Sequence, residues 1–302
     1  MKPTIAIIGA GAVGGYYGGR LAQHGFPVHF LFHGSYEAVR RNGLIVKSVD
    51  GDFTISPAEL HAYSQADHMP KADLVIVTLK TTANHFYESL IDPLLKDQTL
   101  ILTLQNGLGN EEELARLFGP ARIMGGLAFV CINRMNDGSI HHLDHGHIKM
   151  GGFESCPPDR VREVAELFNQ SRIRCTVLED LRYGRWEKLV WNVPFNGLGA
   201  TLDKTTDKLI ATPQGQALVR TLMLEVIAAA AGNGIHLPPD LPDRKIDETK
   251  TMGAYRTSMQ IDRQENRPLE VEAILHHSLR AAMAARVPAP CLQMLYEMAT
   301  LP

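Results

Sequence analysis

Apolar residues in the first 180 positions fall into short runs rich in β-branched side chains: "TIAIIG", "VHFLF", "DLVIVTL", "TLILTLQNG", "RIMGGLAFV", "HIKMGG" and "RCTVLE". Helical or polar stretches separate them, an alternation that predicts a parallel sheet with crossover helices. The runs at 74–79 and 99–104 are apolar on both faces, as strands covered by helices on either side should be. After Val177 the period changes. From Glu179 onward no strand pattern remains, and 179–193, 213–233, 247–265 and 269–285 repeat apolar residues at helical spacing. The expected organisation is an α/β domain over 1–178 followed by an all-α domain over 179–302, with the proline-rich "GIHLPPDLPDR" at 234–244 joining helices. The most apolar segment, around 222–231, is interrupted by Glu225 and reads as too short to span a bilayer.

The first strand runs into "GAGAVG", which places Gly9, Gly11 and Gly14 as GxGxxG between a strand and an amphipathic helix. A glycine at 9 permits the tight turn, one at 11 lets a pyrophosphate approach the backbone, and one at 14 lets helix and strand pack closely. The phosphate would sit on the positive end of the helix that begins with Ala12 and Val13. A Rossmann-type dinucleotide-binding domain is therefore expected, in preference to a glycine-rich turn that merely packs well. The second strand ends at His33, Gly34 and Ser35, where NAD-binding proteins commonly place an Asp or Glu for the ribose 2′-hydroxyl. With no carboxylate there to repel a 2′-phosphate, the expected cofactor is NADPH/NADP. Arg40, Arg41 and Lys80 are further candidates for permanent positive charge beside it.

Composition narrows the partners. With 30 basic and 33 acidic residues, a net charge of −3 offers no basic excess for a nucleic acid or an anionic membrane, so a small molecule is the expected partner. The four cysteines show neither CxxC nor a pairing pattern, which fits reduced thiols. No secretion signal follows Met1, and a cytoplasmic location is expected. The segment "HHLDHGH" at 141–147 gathers four histidines and an aspartate, yet it lacks a helical HxxxH. An exposed hairpin is preferred there, and no metal is expected.

The stretch "RWEKLVWNVPFNGLGA" at 185–200 reads as a buried helix with Lys188, Asn192 and Asn196 stacked on one face at four-residue steps. One reading is structural: the lysine snorkels to water and the amides bridge neighbouring helices. Beside a nucleotide-binding domain, the same row reads as a site. Pro194 removes a backbone bond to Val190, so a kink that aims Asn196 is expected.

In "IAIIGAGAVGGYYGGRLAQHG", "VTLKT", "TLQNGLGNEE", "RWEKLVWNVPFNGLGA" and "SMQIDRQENRPLEVEAI", taken in order, the chain resembles the ketopantoate reductase family nearly end to end. The resemblance implies an N-terminal Rossmann domain, a C-terminal helical domain and an active site between them. It implies NADPH-dependent reduction of a branched 2-keto acid, ketopantoate to pantoate on the pantothenate route. By position, Lys188 is implied as the catalytic lysine, Asn192 and Asn196 as substrate-binding amides, and Ser258 as the partner of the substrate carboxylate. Glu270 is implied as the acceptor of the substrate's distal hydroxyl, Asn106 as a neighbour of nicotinamide and substrate, and Lys80 as a neighbour of the adenosine end. Asp262 keeps the intervening acidic position. His33 departs from the family's usual arginine.

Simpler readings stay open for three of these. Glu270 could be a helix-start residue behind Pro268, Asn106 a turn residue before glycine, and Lys80 a solvated charge. The ammonium of Lys188 would polarise the ketone and deliver a proton, and apolar surroundings would lower its pKa. Two other functions remain: a 3-hydroxyacid dehydrogenase-like oxidoreductase, whose further motifs are missing, and a non-catalytic NADP-binding sensor, which would need only the glycine loop. The implied partner is a 2-keto acid, and a homodimer is admitted.

Overall fold

Seven runs of β-branched residues form strands, and three further strands join them in a single ten-stranded sheet. In the computed structural model, which describes residues 2–135 and 137–301, these are β1 (Ile5–Ile8), β2 (Val28–Leu31), β3 (Leu44–Ser48), β4 (Phe53–Ile55), β5 (His61–Tyr63), β6 (Ala72–Val77), β7 (Leu95–Thr103), β8 (Ile123–Arg134), β9 (Ile140–Gly152) and β10 (Cys175–Val177). Their order is β4-β3-β9-β8-β7-β6-β1-β2-β5, with β10 on β9. From β5 to β8 every neighbouring pair is parallel. The order reverses at β1, which pairs with β2 through Ile5↔Val28 and with β6 through Ile5↔Leu74. Such a reversal is where an open α/β sheet leaves a crevice for a ligand at its carboxyl ends. Ile5 and Ile7 pack into one core and Ala6 and Ile8 into another, because alternate strand residues face opposite layers. Helices α1 (Ala12–Gln23), α2 (Tyr36–Asn42), α3 (Tyr87–Ile91), α4 (Asn110–Phe118) and α5 (Pro158–Gln170) connect the strands.

Antiparallel pairs extend this parallel centre: β8 with β9, and β3 with β4. The first of these is a hairpin containing residues 141–147, as expected, with Leu143, Asp144 and His145 exposed, but it is not exposed throughout. "HHLDHGH" lies inside β9, with His142 opposite Ile132, and its side chain is buried. The imidazole lies 4.4 Å from the Tyr16 ring, with Nδ1 2.8 Å from Ser48 Oγ and Nε2 3.1 Å from the Asp144 carbonyl oxygen. Loss of water lowers its pKa, against the opposing pull of Asp50.

The chain divides into two compact units, Met1–Gln105 with Asn110–Leu181, and Asn106–Gly109 with Arg182–Pro302. Four residues that the sequence reading assigned to the first domain thus pack with the second. That second unit is helical: α6 (Leu181–Leu202), α7 (Thr206–Leu209), α8 (Pro213–Gly232), α9 (Leu241–Lys250), α10 (Ser258–Gln264), a π-helical turn at Glu272–His276, α11 (His277–Ala284) and α12 (Pro290–Thr300). The helix α6 continues through Pro194 to Leu202. The segment read as one helix at 247–265 is two, α9 and α10, and α12 was not expected at all.

The expectation for α8 also changes. It runs 20 residues, and among the described residues it is the one helix long and apolar enough to cross a membrane by length and composition. Its Val219, Leu222, Met223, Val226, Ala229 and Ala230 instead belong to the core of the second unit. Glu225, which breaks the apolar run, accepts hydrogen bonds from Cys291 N at 3.0 Å and Leu292 N at 2.7 Å and so caps α12.

Candidate active site

The loop between β1 and α1 has three glycines for three separate reasons. Gly9 adopts φ +87°, and a Cβ there would lie 2.7 Å from Leu79 N. A Cβ on Gly14 would overlap Thr78 Oγ1 and come within 2.9 Å of the Gly9 carbonyl oxygen. Gly11 differs, since the nearest atom to its Cβ position is 3.9 Å away. It also forms the N-cap of α1 without a side-chain cap, and no acidic residue stands in the first turn. Backbone N–H groups at Ala12 and Val13 therefore start a helix end to which an anion is electrostatically suited. A pyrophosphate fits the cradle: two glycines are fixed by packing and the third leaves room. Thr78 donates to the Gly9 carbonyl at 2.8 Å, and Ala10 N donates to the Leu31 carbonyl at 3.0 Å, which ties the loop to the ends of β6 and β2. His33 and Lys80 follow those two strands and are exposed.

The second unit holds the polar row. Lys188 Nζ donates to Asn106 Oδ1 at 2.9 Å. Desolvation, then the nearby Arg185 guanidinium, lower the lysine's pKa to about 7, while Glu270 opposes them. Asn192 and Asn196 follow at one-turn steps, both buried. Asn196 Oδ1 accepts from Ser258 Oγ and from Met259 N, both at 3.3 Å. That pairing joins α6 to the start of α10, whose N-cap Thr257 accepts from Gln260 N. Asp262, 1% exposed, accepts from Arg267 Nε at 2.9 Å and so closes the turn after α10.

Glu270 is 3% exposed. Neither it nor Pro268 lies in the helix, which begins at Val271, so the reading of Glu270 as a third helical residue behind a first-position proline does not hold. Its backbone carbonyl accepts from Ile274 N, while its carboxylate favours the charged form of Lys188.

Asn106 reaches Lys188 because "NGLG" at 106–109 is pinned inside the second unit. Gly107 (φ +88°) and Gly109 (φ +90°) have no room for side chains, since added Cβ atoms would overlap the Ala273 carbonyl and the His277 ring. Leu108 N donates to the Ala273 carbonyl at 3.0 Å, and His277 Nδ1 donates to the Leu108 carbonyl at 2.6 Å. In the first unit the flanking residues are held as well. Gln105 Oε1 accepts from Tyr87 Oη at 2.6 Å and Thr103 Oγ1 at 2.8 Å, and Asn84 bonds both Gln105 and Asn110.

The model of the family described as "Ketopantoate reductase PanE/ApbA" matches residues 5–155, and that of its C-terminal part matches residues 180–301. The chain belongs to the ketopantoate reductase family. A 2-dehydropantoate 2-reductase of Nostoc sp. is 45% identical over 297 residues, covering 97% of this chain and 92% of its own. Among solved structures, a 2-dehydropantoate 2-reductase of Geobacter metallireducens superposes with a TM-score of 0.95 at 46% identity, over 98% of both chains. A second, from Methylococcus capsulatus, gives 0.86 at 31% identity over 98% of this chain and 95% of that one. The mixed sheet followed by helices is the family's fold.

Several residues of this ketopantoate reductase family member escaped the sequence reading. Thr78, Arg185 and Gln105 lie inside the stretches that carried the resemblance, and a search for polar residues at strand ends or one turn from Lys188 would have found them. His277 carries no such signal, because its partner is the Leu108 carbonyl, 169 residues away, whereas Glu272 lies inside the last of those stretches and meets the His276 and His277 side chains.

Proposed function

We propose that this member of the ketopantoate reductase family reduces 2-dehydropantoate to pantoate with NADPH, and that Lys188 supplies the proton. The observation that carries the reading is a lysine with a pKa of about 7, bonded to Asn106 and under the field of a buried Glu270. A nicotinamide nucleotide bound at Gly9, Gly11, Ala12, Val13 and Gly14 supplies the hydride. Lys188 hydrogen-bonds the keto oxygen, and as negative charge develops there it gives up its proton. A pKa near the working pH suits that transfer, since an ordinary lysine would hold its proton too tightly. Asn106 fixes the direction of the ammonium. Ser258, fixed by Asn196, serves the substrate carboxylate, and Asn192 lies on the same face between them. Glu270 accepts from the distal hydroxyl, which selects pantoate precursors over plain 2-keto acids.

NADPH rather than NADH is favoured by the absence of a carboxylate at residues 33–35, with His33 and Lys80 exposed after β2 and β6 to meet a 2′-phosphate. An absorbance assay of NADPH consumption over a panel of branched and unbranched 2-keto acids tests the reading. The expected result is the highest kcat/KM on ketopantoate. A panel in which ketopantoate is not consumed while another keto acid turns over would reassign the substrate.

A further inference from the structure

We propose that His277 is a positioning residue for the reaction, acting on Lys188 through the Leu108 carbonyl and Asn106. The inference rests on the assignment of Lys188 as the proton donor. The Asn106 loop contains two glycines with positive φ, the backbone least able to hold itself in one conformation. Its order must come from outside the loop. Leu108 supplies both backbone contacts: its N–H goes to Ala273 in the π-helical turn and its carbonyl to His277 at the start of α11. A π-turn shifts the helical register locally, and such turns recur at functional sites. Here the turn presents the Ala273 carbonyl toward the loop and sets His277 under Gly109.

The imidazole is itself fixed. Its Nδ1 must donate, because the partner is a carbonyl, and its Nε2 lies 3.5 Å from Glu272 Oε1. Glu272 also sits 2.7 Å from His276 Nδ1, and the His276 ring stacks on Tyr296 at 4.7 Å. A chain of contacts therefore runs from α12 through the π-turn and His277 to Leu108, and ends at the Asn106 amide on Lys188. Loss of the His277 donor frees the loop, displaces Asn106 and removes an acceptor that favours the charged lysine.

The test uses His277→Asn, His277→Gln and His277→Ala in the full chain, with Lys188→Ala in parallel, and reads kcat for ketopantoate from pH 5.5 to 9. An asparagine amide reproduces the Nδ1 donor, whereas a glutamine amide reaches the place of Nε2. The alanine and glutamine variants should lose about 10- to 100-fold in kcat, the scale of a misplaced catalytic group. Their alkaline fall in kcat should move to lower pH, while the asparagine variant keeps the parent's rate and profile. If all three keep the parent's kcat and profile, or all three fall equally with the alkaline limb unmoved, the proposal is overturned. The comparison of asparagine with glutamine decides alone if the alanine variant does not fold. Lys188→Ala at the parent's rate would defeat the proton-donor assignment and this inference with it. An inactive Lys188→Ala beside a fully active His277→Gln defeats only this inference.

Discussion

A lysine that titrates near pH 7 is costly to keep, and the cost has a measurable sign. Below about pH 7 Lys188 is charged in both folded and unfolded chains, and the folded state bears the full penalty of a desolvated ammonium. Between that value and the ordinary lysine pKa, the folded protein has released a proton that the unfolded chain still holds, so the penalty shrinks as pH rises. Lys188→Met should therefore raise Tm at pH 6 by roughly 2–4 °C for each kcal/mol recovered, with a gain that fades toward pH 10. Thermal melts of both proteins across that range check it. For catalysis the sign is opposite: under the proposed role the reduction needs the protonated lysine, so kcat should fall as pH rises through about 7. Lys188→Ala should lower kcat about 10²- to 10⁴-fold with NADPH affinity nearly intact, and a kcat within threefold or so of the parent in steady-state kinetics would remove the lysine from its role. Glu270→Ala should weaken substrates with a distal hydroxyl far more than those without one, read as the ratio of their kcat/KM values. A fall in thermal stability with that ratio unchanged would return Glu270 to a structural part. The sequence displayed the row of Lys188, Asn192 and Asn196, because helical spacing alone stacks them. It could not display that Asn106 contacts Lys188, since 82 residues separate the two and only the tertiary fold joins them.

At the level of elements, Glu225 connects α8 to the last helix, α12. Its carboxylate accepts two backbone N–H groups at the start of α12, so Glu225→Ala should destabilise by about 1–3 kcal/mol while KM for both substrates stays unchanged. Denaturant titration and kinetics on the same preparation check it, and a change in KM would tie α12 to the site. Element legibility followed the continuity of apolar residues more than the length of a run. Strands such as "LILT" and "LVIV" are continuous apolar runs and read directly. By contrast β3, β4 and β5 span only three to five residues each and mix lysine, threonine or histidine with apolar neighbours, so no run stands out. The hairpin at "HHLDHGH" was legible, but not the inward turn of His142, whose ring nitrogens meet Ser48 and the Asp144 carbonyl while the ring packs on Tyr16. The start of α12 was hidden by "VPAPC", in which Pro290 opens the helix and also reads as a breaker.

For the whole molecule, the glycine cradle and the strand reversal at β1 suit a dinucleotide, and the proposed preference between the two nicotinamide cofactors rests on residues 33–35 and the charge beside them. NADPH should bind more tightly than NADH in titrations at several pH values, and saturating NADP at about 100 times its Kd should stabilise by about 2.7 kcal/mol. Equal or tighter binding of NADH at every pH would overturn the cofactor assignment. His33→Ala separates the sources of charge: a preference that survives it comes from lysine or arginine. The broad architecture was legible, a sheet then helices, because short β-branched runs alternate with helical stretches up to Val177 and only helical spacing follows. The membership of residues 106–109 was not, since it depends on contacts made only after folding. Those four residues also bear on synthesis. A chain emerging from the ribosome presents Leu108 long before His277, which follows 169 residues later. The segment that brings Asn106 to Lys188 must wait, with its backbone groups solvated, until nearly the whole chain is made. A nascent or truncated chain ending before Ala273 would contain every residue of the glycine cradle and still lack the means to hold Asn106 in place, so nucleotide binding should precede catalytic competence during biogenesis.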